Sequence, residues 1–182
     1  MLDNIMYVVC HLSSTIRLYN TDTHSPLDVV INVDGLKHPC DIVVCRDDRQ
    51  LYVADWRSCI WRVSCDDHSY VKWLSIDSTT DRFRVYSLSL TSRRLLLTSW
   101  CPPVLRQYST TDGPTLLRVV ELPPYVLCVW HGVETTRGTF VVGHFGTSQS
   151  ALQHAVSEVF RSVLSSLKSY TVALRLNDAL ID

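Results

Sequence analysis

The chain of 182 residues is 46% hydrophobic and 19% charged, a composition typical of globular domains that excludes a largely disordered protein. Its 17 basic and 18 acidic residues leave a formal charge of -1, so it lacks the overall basic excess that accompanies binding to nucleic acids or anionic membranes. The N-terminus carries Asp3 where a secretory signal has positive charge, and no later run approaches the roughly 18 apolar residues of a membrane span. We therefore expect a soluble, cytoplasmic protein without membrane contact.

Three short apolar segments follow one another in the first part of the chain. They are Met6–Val9, Ile16–Tyr19 and Val29–Val33, and polar residues separate them. Short runs of this kind, rich in β-branched and aromatic residues, predict strands. The first part of the chain is therefore predicted to be a strand meander.

The clearest unit runs from His38 to Ser64 and continues into a fourth apolar segment. Its predicted strands are Ile42–Val44, Leu51–Ala54, Ile60–Val63 and Val71–Leu74. Pro39 precedes the first strand, and polar turns separate the others. This arrangement predicts an antiparallel meander of four strands.

The same pattern returns further along the chain with a period of about 44 residues. The predicted strands there are Val85–Leu90, Leu95–Thr98, Val104–Tyr108, Leu116–Val120, Val126–Trp130 and Thr139–Val142. Four strands in such a period, with prolines between them, are typical of propeller blades and argue against helical repeats. The sequence thus predicts an all-β fold, an incomplete β-propeller of four-stranded antiparallel blades over 1–159. Its repeat units are about 5–37, 38–80, 81–122 and 123–159, and an atypical tail covers 160–182.

The segment Leu152–Lys168 supports two interpretations. Its apolar residues recur at helical spacing without a glycine or proline, which slightly favours a C-terminal helix. The repeat register instead places a third strand at Ala155–Val159. Packing against a neighbouring element decides between the two.

The second unit resembles an NHL-type repeat of the six-bladed propellers associated with tripartite-motif proteins. The residues that carry the resemblance, in order, are Pro39, Asp41, Ile42, Leu51, Tyr52, Val53, Ala54, Asp55 and Ile60. The resemblance implies a ring of six blades, whereas about four are counted between Ile5 and Val159. We therefore expect a fragment or duplication remnant, marginally stable alone, whose open blade edges favour self-association.

A ring side chain follows the second strand of every repeat. These residues are His11, Trp56, Trp100 and His144, and Arg57 is next to one of them. Successive blades would array the rings on one loop face, as a platform that grips a peptide or stacks on bases. The alternative is that each ring packs over the neighbouring blade.

Arginines recur in the third strand of three repeats, at Arg17, Arg62 and Arg106. A row of guanidinium groups could bind phosphate. We favour a structural role in which they pair with acidic residues of adjacent blades, such as Asp41 or Asp55. Asp55 itself is expected to accept backbone N–H bonds in its turn.

Catalytic and metal-binding patterns are absent from the sequence. The seven cysteines include no C-x-x-C pair, so we expect buried free thiols, no metal site and no cofactor. The main hypothesis is a non-catalytic module whose loop face binds a protein partner. One alternative is an RNA-binding NHL-type propeller. Another is a metal-dependent hydrolase like the lactonase and senescence-marker propellers, although none of Glu121, Glu134 and Glu158 begins a first strand.

Overall fold

The computed structural model describes residues 2–56, 59–76, 82–100, 102–123 and 126–145, together with the strand at 154–159. Every regular secondary-structure element within these ranges is a β-strand, and the strands form four antiparallel sheets. The predicted all-β class with four-stranded antiparallel sheets is therefore confirmed, with four strands in two of the described sheets and three described strands in each of the other two. In the described ranges no helix is long and apolar enough to cross a membrane.

The first two sheets have strands where the sequence predicts them. Sheet 1 contains β1 (Ile5–Val9), β2 (Thr15–Asn20) and β3 (Pro26–Asn32). Sheet 2 contains β4 (Pro39–Cys45), β5 (Gln50–Asp55), β6 (Cys59–Ser64) and β7 (Tyr70–Ser75). Consecutive strands are spatial neighbours in both sheets, so each is a simple meander.

The next two sheets repeat this order. Sheet 3 contains β8 (Val85–Thr91), β9 (Arg94–Ser99), β10 (Val104–Ser109) and β11 (Thr115–Glu121). Sheet 4 contains β12 (Leu127–Glu134), β13 (Phe140–Phe145) and β14 (His154–Val159). The chain divides into two compact units, residues 1–88 and 89–182, with the boundary inside β8.

The strand β14 corrects the helix favoured for Leu152–Lys168. Over His154–Val159 the chain pairs antiparallel with β13, and Gly143 lies opposite Val156. Pairing to an existing strand provides partners for backbone N–H and C=O groups, and this tertiary context overrides the local helical spacing. The other residues of the predicted helix lie outside the described ranges.

The core of the first unit lies between sheets 1 and 2. Its most buried members are Ile16, Leu18 and Ile31 from sheet 1 and Leu51, Val53 and Val63 from sheet 2. Tyr52, between two of these residues on β5, meets Trp73 edge to face with ring centroids 5.1 Å apart. Since β5 is buried along Leu51–Asp55, its sequence is continuously apolar up to Ala54 instead of alternating.

The core of the second unit lies between sheets 3 and 4. It contains Leu96 and Leu105 of sheet 3 and Val129, Phe140 and Val142 of sheet 4. Gly132 allows a close approach here, because an added Cβ would lie 3.1 Å from Thr98 Oγ1 and 3.2 Å from Leu105 Cδ2. The Ser89 hydroxyl also donates a hydrogen bond of 2.7 Å to the Gly132 carbonyl.

Candidate functional site

A cavity of about 480 Å³ lies in the first unit, where residues from successive repeats meet. Its walls are formed by Val9, His11, Pro39, Cys40, Asp41, Trp56, Tyr86 and Ser87. They come from the end of β1, the start of β4, the end of β5 and the first half of β8. The repeat explains this convergence. The first two strands of a repeat, such as β4 and β5, run antiparallel, so the start of one lies beside the end of the other.

Two of the predicted platform residues, His11 and Trp56, line this cavity. Trp56 directly follows β5, is 46% exposed, and donates its backbone N–H to the His38 carbonyl at 3.0 Å. The His11 ring contacts the His38 ring with centroids 5.5 Å apart. The Trp56 ring therefore offers accessible aromatic surface at the cavity, and a hydrogen bond fixes the backbone that carries it.

Asp41 places a carboxylate on the cavity wall. Its oxygens accept the backbone N–H of Ile42 at 2.8 Å and that of Leu88 at 2.7 Å, which ties β4 to β8. Asp55, only 2% exposed, accepts the backbone N–H of Lys37 at 3.0 Å. Asp55 thus accepts a backbone hydrogen bond as expected, but the donor precedes β4 instead of belonging to its own turn.

The Cys40 thiol on the same wall is expected to be unreactive. Its single S–H lies within hydrogen-bond reach of two carbonyl oxygens, Ala54 at 3.5 Å and Val85 at 3.6 Å from Sγ. Burial, with the negative charges of Asp41 and Asp55, raises the pKa of Cys40 to about 12. A thiol that stays protonated at neutral pH is a poor nucleophile and a poor metal ligand.

Serine, histidine and aspartate all line the cavity, as Ser87, His11 and Asp41. The His11 ring contacts the His38 ring, and Asp41 accepts the backbone amides of Ile42 and Leu88. In the described ranges, moreover, no group of three or more His, Cys, Asp or Glu side chains could hold a metal ion.

The other predicted platform residues have different surroundings. Trp100 follows β9 and packs edge to face on Trp130, with centroids 5.0 Å apart, as the packing alternative predicts. His144 is 3% exposed and lies inside β13 opposite Ala155, so its predicted turn position is wrong. The reason is that β13 continues through Phe145, whereas β5 and β9 end before their ring residues. Arg57 lies outside the described residues.

The recurrent arginines lie on β2, β6 and β10, in the strands where the repeat predicts them. Arg17 is exposed on β2 and Arg62 is half-buried on β6 opposite Tyr52. The salt bridges seen within the described ranges do not include Arg17 or Arg62, and Asp41 and Asp55 accept backbone amides at the ends of their strands. Arg106 is half-buried on β10, and its predicted pairing stays a prediction.

A buried charged network in the second unit was not predicted. Glu134, 4% exposed, pairs with Arg118 and, at 3.4 Å, with Arg94. Gln107 joins the network, because its Nε2 donates to Glu134 at 2.7 Å and its Oε1 accepts from Arg118 Nε at 2.8 Å. The sequence did contain a signal for this network, because Arg118 lies within the otherwise apolar strand β11 and a buried charge needs a partner.

Comparison of the chain with models of protein families, and with curated protein sequences, finds no match.

Proposed function

We propose that this protein is a non-catalytic binding module of the NHL-like propeller type, which holds an exposed segment of a partner protein at the cavity in its first unit. The observation that carries the proposal is the convergence of His11, Trp56 and Tyr86 on one cavity. Its volume of about 480 Å³ lies within the range of roughly 300–1,000 Å³ typical of ligand sites. Such a volume suits one or two side chains of a docked segment.

The chemistry of the walls supports binding over catalysis. Cys40 is held protonated by burial, with a pKa of about 12. The His11 ring packs against the His38 ring. Aromatic side chains provide large contact areas at little conformational cost, which makes them frequent energetic centres of protein interfaces.

We further propose that the module acts in the cytoplasm. Six cysteines of the described chain, Cys10, Cys40, Cys45, Cys59, Cys65 and Cys128, are free thiols. Unpaired cysteines in this number fit a reducing compartment.

Trp56 is the residue with which the proposal is tested. Peptides from a random phage-displayed library are selected on the immobilised protein, and their affinities are measured by fluorescence anisotropy. We expect Trp56→Ala to weaken the selected peptides at least tenfold, because its ring supplies contact area without supporting the core. The matched control is Val71→Ala, which also truncates an exposed apolar residue of sheet 2, 48% exposed, but lies away from the cavity walls.

Circular dichroism and thermal melting establish that both variants stay folded. Peptides that bind equally to the Trp56→Ala and Val71→Ala variants, or a selection that gives no binder, contradict the proposal. A single-stranded RNA oligonucleotide tests the RNA alternative, because binding that falls steeply between two salt concentrations and requires Trp56 favours RNA.

A further inference from the structure

We propose that the partner segment binds in extended form, as a β-strand added along the outer edge of β1, with one end in the cavity of the first unit. This inference rests on the proposed binding function and adds the conformation of the ligand and the groups that hold it. Three features of the first unit support it: a strand that sheet 1 lacks, the direction of the backbone groups of β1, and the place of Val9 on the cavity wall.

Sheet 1 lacks the strand that begins each of the other sheets. In the repeat, β1 corresponds to β5, because both are the second strand and both precede a ring residue. In sheet 2, β5 pairs with β4 on one side and with β6 on the other. β1 pairs with β2, and among the described strands none lies on its other side. The place that a first strand occupies beside β5 is therefore an edge of the sheet at β1.

The register between β1 and β2 determines which backbone groups of β1 point to this edge. In an antiparallel pair, alternate residues exchange hydrogen bonds with the partner strand. The Asn4 carbonyl accepts a hydrogen bond of 2.8 Å from the residue that follows β2, so Asn4 faces β2, and Met6 and Val8 face it by the same alternation. The N–H and C=O groups of Tyr7 and Val9 are therefore directed away from β2, towards the outer edge.

The length of this edge suits a short strand. The outward N–H and C=O groups of Ile5 already exchange hydrogen bonds of 2.8 and 3.2 Å with Leu2, which closes the edge at the start of β1. Beyond the pairing with β2, no backbone hydrogen bond joins Tyr7 or Val9 to another residue of the described chain. At a rise of about 3.3 Å per residue, an extended segment of roughly five residues covers these groups.

The outer edge of β1 leads into the cavity. Val9 is the last residue of β1, is half-buried and lines the cavity, as does His11 just beyond it. A segment antiparallel to β1 therefore begins at the cavity, where the exposed ring of Trp56 lies on the wall. In peptides added to a sheet edge, main-chain hydrogen bonds provide affinity and pockets for alternate side chains provide specificity. The β1 edge and the cavity supply these two parts side by side.

A second folded copy of the chain is a less suitable occupant of this edge. The end strands β3, β7 and β11 have six or seven residues each. A strand of that length would meet the turn that joins Leu2 to Ile5, whereas a short extended segment ends before it. We therefore assign the edge to a segment of the partner protein.

The first experiment alters the backbone of the ligand and leaves the protein intact. In the tightest peptide whose binding requires Trp56, each amide in turn is N-methylated, which removes one N–H donor and keeps the side chain. We expect methylation at two residues, separated by one, to weaken binding by about tenfold or more, because these residues lie opposite Tyr7 and Val9. Methylation of the residue between them is the matched control and should change the affinity by less than about twofold.

The second experiment alters the edge itself. Val9→Pro removes the outward N–H of Val9 and leaves the hydrogen bonds between β1 and β2 in place, and proline is tolerated at a sheet edge. It should weaken peptide binding by about tenfold, whereas Val9→Ala, which shortens the same side chain and keeps the N–H, should weaken it much less. In the unchanged protein, the peptide should slow amide hydrogen exchange at Tyr7 and Val9, while Met6 and Val8 are already protected by β2. Thermal melting establishes that both variants stay folded.

The outcomes separate this inference from the proposed function. If Trp56-dependent peptides tolerate methylation at every position, or bind the two Val9 variants equally, the ligand enters the cavity without pairing with β1, and the inference is wrong while the binding function stands. If Val9→Pro dissociates oligomers of the protein and leaves peptide binding unchanged, the edge takes a second copy and the inference is again wrong. If no peptide depends on Trp56, the binding function fails and this inference with it. If Val9→Pro does not fold, the methylated peptides and the amide exchange still decide the question, because they are measured on the unchanged protein.

Discussion

At the scale of single residues, the most informative side chain is Glu134, because a buried carboxylate contacts two arginines and a glutamine. The guanidinium of Arg118 also lies over the Phe140 ring, 4.3 Å from its centroid. Arg118 is therefore fixed by a carboxylate, an amide and an aromatic face at once. Buried ion pairs contribute little when intact, but removing one partner leaves an uncompensated charge.

We expect Glu134→Gln to lower the free energy of unfolding by about 3 kcal/mol, since Arg118 loses its carboxylate partner. The measurement is urea unfolding followed by circular dichroism. Glu121→Gln is the matched control, because Glu121 is exposed at the end of β11, and its effect should stay within about 0.5 kcal/mol. Equal stabilities of the two variants would show that the Glu134 pairs contribute nothing to the fold.

Residue-scale prediction from sequence was only partly correct for the candidate site. The repeat identified His11 and Trp56 as equivalent ring positions, and the structure brings both to one cavity. The repeat could not show that His144 differs from these two residues by lying inside a strand. It aligns equivalent positions but does not show where each strand ends. Tyr86 was not singled out, since its place on the wall depends on how β8 packs beside β4.

At the scale of elements, the apolar pattern predicted nearly every strand. It succeeded because strands buried on both faces, such as β5 and β9, give continuous apolar runs that the intervening turns delimit. It was wrong at β14, where helical spacing and strand pairing are both compatible with the sequence. The partner strand β13 decides that case, and a partner distant in sequence is invisible to local periodicity.

The contact between sheets 3 and 4 gives a prediction at this scale. Gly132→Ala should lower the free energy of unfolding by about 1–3 kcal/mol, because the new methyl group would lie only 3.1 Å from Thr98 Oγ1 and 3.2 Å from Leu105 Cδ2, and these packed side chains would have to shift. Thermal melting measures the loss. Thr136→Ala, an exposed change in the turn after β12, is the control and should change the melting temperature little. A Gly132→Ala protein as stable as the control would mean that the side chains around Gly132 shift to accommodate the methyl group without cost.

At the scale of the whole molecule, we expect the outer strands of the sheets to decide whether copies of the chain associate. β3, β7 and β11 each end a sheet, and an end strand has unpaired backbone groups along one edge. β3 carries Pro26 and Asp28, and β7 carries Lys72, which are residues that discourage strand pairing. The three exposed apolar residues of β11 are Leu116, Leu117 and Val119, with exposed fractions of 47%, 48% and 48%.

β11 is therefore the edge at which we expect self-association. Its one basic residue, Arg118, is turned to Glu134 and protects the edge less than a solvated lysine would. Leu117→Lys places a charge on the exposed strand, so it should shift the protein from concentration-dependent oligomers towards monomer, as measured by light scattering after size-exclusion chromatography. Val30→Lys makes the same change on β3, where Pro26 and Asp28 already discourage pairing, and should have a smaller effect. A wild-type protein that stays monomeric at high concentration would instead mean that the bulge between β10 and β11 at Gln107 and Tyr108 already prevents pairing along this edge.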